Sequence, residues 1–387
     1  MVRARSSAAI VLAVRPDDIT AAVLARDDVA RYVRGQAGNP SITRQQVETY
    51  LDELRTTQRY RFYRALQHPL YPILRKVTRI PEHVSHASDA TARGHVVYVS
   101  NHKSHLDYLV EPLVLDDHGI RPPLMAAGIN LFGGALGLLH RHVTGAIPIR
   151  RNSKDPVYLV TLKAYVAELL KRRDILYYAE GGRSYSGELK SPKTGLLQAA
   201  LQADRTALSV VPMAVAYDLV LEDRILSREA ARRRSRLFAQ EVGEMVRHAV
   251  GYRTRAFVTF GVPIALGEYD PESRRDLVSL VHRIQHDVGR LYKVLPTALV
   301  ASAMRPQLTR SELASRIDDL IESCMSQQAN LAVKTGREAV DEGVDQLIER
   351  GVLVAERHKL RVRDRIVLRY YARTIEHLTS TRSGTTH

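Results

Sequence analysis

The chain has 387 residues, a formal net charge of +15, a sequence pI near 9.9 and a single cysteine. Its length suits one large domain with helical additions or two ordinary ones, and a lone Cys324 excludes an intramolecular disulfide and any Cys-ligated zinc cluster, which points to a reducing compartment. The charge implies an anionic partner (nucleic acid, a lipid head-group surface, or a phosphorylated or acidic substrate) and by itself selects none of them.

Along the chain, Arg3 and Arg5 precede the apolar run Ala8–Val14, but Arg15-Pro16-Asp17-Asp18 follows with no small-residue cleavage site, so no signal peptide is expected. Residues 17 to about 80 are helical in pattern. Asn39-Pro40-Ser41 breaks the chain, Thr43 and Gln46 suit a capping box, and Val47, Tyr50, Leu51 and Leu54 recur at helical spacing. Between about 85 and 290 short β-rich runs alternate with helical ones. His95–Val99, Ala146–Ile149, Ile175–Tyr178, Ser209–Tyr217 and Ala256–Gly261 read as strands, and Tyr158–Leu170 and Thr194–Ala203 as helices. The apolar stretch Leu124–Leu139 contains Asn130, Gly133, Gly134 and Gly137 and falls short of the roughly 18 residues of a spanning helix. It reads as core, or as an edge that dips into a bilayer interface. Beyond about 295, Ser311–Met325, Gly336–Arg350 and Ile366–Leu378 are helical and Val352–Val362 suits a hairpin.

The pattern gives an α/β fold, a mixed and largely parallel sheet flanked by helices. It divides into a helical N-terminal domain (1–84), the α/β domain (85–290), a mainly helical C-terminal extension (291–378) and a disordered polar tail (379–387).

Chemistry concentrates in two loops. In Ser100-Asn101-His102-Lys103-Ser104-His105-Leu106-Asp107, four residues separate His102 from Asp107. In a continuous helix two such positions differ by about 140° and cannot share a face. The pair meets only if His102 lies in the turn leaving the strand and Asp107 in the first turn of the next helix. A carboxylate on one imidazole nitrogen then fixes the tautomer and leaves the other nitrogen to take a proton from a hydroxyl. No protein nucleophile accompanies the pair. The second loop, Glu180-Gly181-Gly182-Arg183-Ser184-Tyr185-Ser186-Gly187, follows the strand Ile175–Tyr178, with Lys193 at the next helix start. Paired glycines at a strand end let backbone amides approach an anion, and Arg183 and Lys193 add charge. No G-x-x-x-x-G-K-[ST] is present, and Gly182–Ser186 fails the G-x-S-x-G elbow at its last position. Arg150 and Arg151 end a further strand, and Pro212 lies within Val210–Tyr217.

In this order the four pieces resemble the four blocks of the glycerolipid acyltransferase superfamily, most closely its glycerol-3-phosphate acyltransferase branch. The match runs over about 95–220, and Leu368–Leu378 is similar to a C-terminal segment of these enzymes. The resemblance implies that His102 is the general base and Asp107 its orienting partner. It also implies that Arg150 or Arg151, Glu180, Gly181, Gly182, Arg183, Ser184 and Lys193 hold the acceptor, and that Pro212 walls the acyl-donor site. Two departures are Ile147-Pro148, where the family has bulky aromatics, and Tyr185, where it has a second arginine.

The implied reaction is acylation of the sn-1 hydroxyl of glycerol 3-phosphate, giving lysophosphatidate, with acyl-CoA or acyl carrier protein as co-substrate and no cofactor. Dihydroxyacetone phosphate or a lysophospholipid is the alternative acceptor. An alternative of another class is a non-catalytic lipid-binding protein, or a nucleic-acid binder through a winged-helix outline over Val344–Val362. The helix of that outline carries Asp341, Glu342, Asp345 and Glu349, so nucleic acid is not expected. His102 and His105 make H-x-x-H without a metal-binding pattern around them, and no metal is expected. The basic run Arg228–Phe238 reads as a solvated helix face or a contact with anionic lipid. The chemistry implies a cytoplasmic enzyme, peripheral on the inner face of the cell membrane.

Overall fold

The computed structural model describes residues 16–35, 40–65, 75–132, 141–142, 144–232 and 253–379. The run Ala8–Val14, residues 133–139 of the apolar stretch, 233–238 of the basic run and 380–387 of the tail lie outside them.

The sheet is built from β1 (Val77–Glu82), β2 (His95–Ser100), β3 (Leu124–Gly128), β4 (Ala146–Ile149), β5 (Ile175–Tyr178), β6 (Leu208–Tyr217), β7 (Thr254–Phe260) and β8 (Ile264–Ala265). Its order is β1-β7-β6-β2-β5-β3-β4, with β8 continuing along the β6 edge beyond β7. From β6 to β4 neighbouring strands are parallel, in registers that pair Val97 with both Val210 and Ile175. β7 runs antiparallel to β6 and carries β1 beside it in parallel. β2, β5 and β6 are buried along almost their whole length, so both faces are covered, as their Val- and Tyr-rich runs require. The mixed, largely parallel sheet flanked by helices is the expected fold. All five strands read from the sequence are present, within two residues of their bounds.

Pro212 sits in the middle of β6, where a proline normally breaks a ladder. Its carbonyl accepts from Gly261 N–H at 2.7 Å, so its missing N–H faces the junction of β7 and β8, where no ladder bond is lost.

The helices Pro16–Leu24, Asp27–Gly35 and Pro40–Leu54 pack on the helix Pro156–Leu170, and their Val23, Val47 and Leu51 join the same hydrophobic core as the sheet. Pro40 takes the first position of its helix, where a fixed φ suits and no N–H is needed. Thr43 is thereby carried inside the helix and buried, and the capping box read at Thr43 and Gln46 does not form. A capping box does form at Thr309 and Glu312, at the head of the helix Arg310–Ser326. In the C-terminal extension β10 (Leu353–Glu356) and β11 (Lys359–Val362) form the expected hairpin, extended by β9 (Gln307–Leu308). On the helix Gly336–Glu349 before it, Glu342 and Asp345 pair with Arg255 and Arg310, and Val344 and Leu347 are buried. Among the described residues no helix is long and apolar enough to cross a membrane.

Candidate active site

The parallel strands β2, β3, β4 and β5 all end at one edge of the sheet, and the loops that leave them converge there, as ligand sites do in such sheets. The chain leaves β2 through Asn101, whose side-chain amide exchanges two hydrogen bonds with the Val215 backbone of β6, at 3.0 and 2.7 Å. That clamp turns the chain into the loop that carries His102. The helix Asp107–Asp117 begins at Asp107 itself, so His102 and Asp107 fall on the two sides of the strand-to-helix turn.

His102 Nδ1 stands 2.8 Å from Asp107 Oδ2. The same oxygen accepts from the backbone N–H groups of Lys103 (2.7 Å) and Ser104 (3.0 Å), and Oδ1 accepts from Tyr217 Oη at 2.7 Å. With Oδ2 already the acceptor of two N–H groups, Nδ1 is the donor and Nε2 keeps its lone pair. Asp107 is fully buried; a buried carboxylate is tolerated only with such a set of donors. Burial, followed by the repulsion of Arg183 and His105, outweighs Asp107 and holds the His102 imidazole down to about 4, so it is neutral at physiological pH. Its ring lies flat on Tyr178, with centroids 3.9 Å apart.

Behind this pair a second carboxylate organises the loop. Glu222 is buried and accepts from Ser104 Oγ at 2.9 Å and from His105 N–H at 2.7 Å. Glu111, one turn beyond Asp107, is fully buried and accepts from Ser100 Oγ. Burial, reinforced by the Asp107 charge, pushes Glu111 well above the carboxylate range.

The glycine loop leaves β5 and is stitched to the histidine loop, since Ser184 N–H donates to the His102 carbonyl at 2.9 Å. Gly181 has a φ of 70° and Gly187 one of 89°, conformations that favour glycine. Ser184 is fully buried and donates its hydroxyl to Glu188 O at 2.6 Å, so it holds the loop. Glu180 and Arg183 are also buried. Burial raises Glu180 above the usual carboxylate range against the attraction of the Lys103 ammonium, and Arg183 lies over the Tyr185 ring at 5.3 Å. Lys103 is itself buried, its ammonium donating to Gly187 O at 2.7 Å.

A cleft of about 400 Å³ opens over these loops. His102, Arg150, Arg151, Gly181, Gly182 and Lys193 line it, with Leu131, Leu159, Leu162 and Leu196 forming an apolar wall. Of the residues singled out in the sequence these six share the cleft. Asp107, Glu180, Arg183 and Ser184 stand behind its surface, and Pro212 is buried in the sheet away from its lining.

The two arginines differ. Arg150 grips Glu53 of the N-terminal helix through two hydrogen bonds, at 2.7 and 2.5 Å, and lies over the rings of Tyr50 and Tyr158. Its charge is spent on holding that helix to β4. Arg151 is exposed and, among the described residues, its side chain makes no ion pair or hydrogen bond. A methyl group on Gly128 would stand 2.8 Å from its Nε, and one on Gly182 would stand 3.5 Å from its Nη1, so the guanidinium lies between the β3 end and the glycine loop. Lys193 is exposed and likewise unpaired among the described residues, its stem against Gly181. The cleft thus presents a neutral imidazole with a free lone pair, two uncommitted cations and an apolar wall. Among the described residues no group of three or more His, Cys, Asp or Glu is arranged to hold a metal ion.

Sequence reasoning did not name Tyr217, Glu222, Tyr178, Asn101 or Glu53 as parts of the site. Asn101 and Tyr178 flank the loops that were read, whereas Tyr217, Glu222 and Glu53 lie 110, 118 and 97 residues from their partners and carry no local signal.

Residues 79–216 match the family model described as acyltransferase. A glycerol-3-phosphate acyltransferase of Pasteurella multocida is 31% identical over 74% of this chain and 40% of its own length. One from Aeromonas hydrophila is 36% identical over 57% of this chain and 29% of its own length. The chain spans less than half the length of these curated relatives. A solved 1-acyl-sn-glycerophosphate acyltransferase of Thermotoga maritima is 14% identical, with a TM-score of 0.35 over 66% of this chain and 83% of that one. The matched residues enclose both site loops, so the chain carries an acyltransferase domain, similar to that of these glycerol-3-phosphate acyltransferases.

Proposed function

We propose that this protein transfers a fatty acyl group from acyl-CoA or acyl carrier protein to the sn-1 hydroxyl of glycerol 3-phosphate, giving lysophosphatidate. The observation that carries this reading is the neutral, Asp107-oriented His102, whose free nitrogen shares a cleft with two unpaired cations and an apolar wall. His102 Nε2 takes the hydroxyl proton as the oxygen attacks the thioester carbonyl, and the carboxylate of Asp107 stabilises the imidazolium that forms. The tetrahedral intermediate then collapses and expels the thiolate, which recovers the proton. No acyl-enzyme and no cofactor enter this scheme.

Arg151 and Lys193 are the groups we assign to the acceptor's phosphate, since Arg150 is bound to Glu53. Their fixed positions hold the hydroxyl against the donor. Asp107, Glu180, Arg183 and Ser184 act from behind the cleft, by orienting His102 and shaping the glycine loop. The apolar wall suits an acyl chain. A net charge of +15 and a product that stays in the bilayer support peripheral attachment to an anionic membrane surface on the cytoplasmic side.

The test is thiol release from palmitoyl-CoA, and from palmitoyl-carrier protein, with glycerol 3-phosphate, dihydroxyacetone phosphate, lysophosphatidate or no acceptor. Release that requires glycerol 3-phosphate supports the reading. Release with another acceptor keeps the mechanism and moves the substrate, and silence with every donor and acceptor refutes it.

A further inference from the structure

A groove of about 500 Å³ opens beside the glycine loop and shares no lining residue with the cleft. Arg365, Arg369 and Arg373 line it, together with Tyr185 and Ser186 of the loop and Ser227. The three arginines stand at every fourth position of the helix Arg365–Arg373 and so share a face. Arg373 is paired with Glu188 at 2.7 Å. Arg365 and Arg369 are exposed, and among the described residues their side chains make no ion pair or hydrogen bond. The nearby Asp364 caps the helix and stands 3.8 Å from Arg228. The groove lining itself contains no carboxylate. Like charges four apart on a helix repel one another, a cost that a bound anion reverses. Ser186 Oγ donates to Glu188 Oε2 at 3.0 Å and Ser227 Oγ lies 3.5 Å from Arg224 O, so the guanidinium groups, beside Tyr185, are the groups that suit phosphate oxygens.

Position narrows the anion. Gly182 lines the cleft and Tyr185 the groove; three residues of chain span at most about 11 Å. Ser184, between them, is hydrogen-bonded to the backbone of His102. The groove and the catalytic cleft therefore flank a single loop. The acceptor's phosphate already has Arg151 and Lys193. The other phosphate in the reaction belongs to the donor, at the far end of the pantetheine arm from the thioester.

We infer that the groove lined by Arg365 and Arg369 binds the phosphate end of the phosphopantetheine arm of the acyl donor, the group that coenzyme A and acyl carrier protein share. This rests on the acyl-transfer reading. The arm then runs past the glycine loop to deliver the thioester to His102.

The test compares the wild type with an Arg365→Glu/Arg369→Glu variant, or with Arg365→Gln/Arg369→Gln where the reversal does not fold. Thiol release is followed against palmitoyl-CoA, palmitoyl-carrier protein and the phosphate-free palmitoyl thioester of pantetheine. The expected result is a donor KM at least about tenfold higher for a phosphate-bearing donor, with kcat, the KM for glycerol 3-phosphate and the KM for the phosphate-free thioester unchanged. The donor that shows the shift identifies the source of the phosphate. Unchanged KM values, an equal shift for the phosphate-free thioester, or a shift seen only with anionic vesicles present overturns the inference. Calorimetric titration with free coenzyme A and with phosphopantetheine reads the groove without turnover. Binding weakened at least about tenfold in the variant supports it, and binding of both ligands by the variant as tight as by the wild type refutes it even where the acyl-transfer reading has failed.

Discussion

Replacing Asp107 by Asn keeps the shape of the site and removes one charge. The amide oxygen can take the place of Oδ2 and accept from His102 Nδ1 and the Lys103 and Ser104 N–H groups, while the amide nitrogen faces Tyr217 Oη, which turns to accept. The ground state, with a neutral imidazole, therefore changes little. The transition state, with a forming imidazolium, loses its counter-charge. Two unit charges with centres about 4 Å apart interact by about 4 kcal/mol at an effective dielectric of about 20, or roughly 10³-fold in rate. We predict that Asp107→Asn lowers kcat about 10³-fold, leaves the KM for both substrates within about threefold, and melts near the wild-type temperature. The assay is steady-state thiol release beside a thermal melt. A folded variant that keeps more than a tenth of wild-type kcat refutes the argument that Asp107 stabilises charge on His102.

Four further outcomes follow. Arg151→Ala raises the acceptor KM at least about tenfold without lowering Tm, whereas Arg150→Ala lowers Tm because Glu53 loses its bidentate partner; paired kinetics and melts check the contrast. His102 is held down to about 4 from an ordinary 6.5, so the unfolded chain binds a proton there that the folded chain refuses. Its contribution to stability is full above about 6.5 and is lost as pH falls toward 4, and urea titrations give a wild-type minus His102→Gln difference that rises with pH across that window. Arg350 is buried against the fully buried Asp223, so Arg350→Ala destabilises by roughly 3–5 kcal/mol in urea denaturation. Gly187→Ala would place a methyl 2.1 Å from the Tyr370 carbonyl at a φ of 89°, costing about 2 kcal/mol or more, while Gly195→Ala meets nothing within 4 Å and stays within about 0.5 kcal/mol.

How much was legible follows from the range of each interaction. The central strands were readable because burial on both faces demands unbroken β-branched and aromatic runs, as in His95–Ser100 and Leu208–Tyr217. β1 was not: it is an edge strand with Arg79, Pro81 and Glu82 in six residues and only Val77 buried. β3, Leu-Met-Ala-Ala-Gly, vanished into the longer apolar stretch that begins at Leu124. The His102–Asp107 contact was legible because both partners sit on one short turn. The division of labour between adjacent Arg150 and Arg151 was not, since it is decided by Glu53 on a distant helix. Nor did the loop sequence reveal that Ser184 and Arg183 are buried, because Ser184 is held by the carbonyl of His102, 82 residues away, and the loop's Gly187 packs against the Tyr370 carbonyl of the C-terminal extension.

The central claim is that His102 acts as the base for a hydroxyl of glycerol 3-phosphate. Its most direct test is thiol release from an acyl thioester by wild type and His102→Ala, with and without glycerol 3-phosphate, each variant checked for folding. The account predicts acceptor-dependent release in the wild type and a fall of at least about 10³-fold in the folded mutant. Acceptor-dependent release that survives in His102→Ala would contradict it.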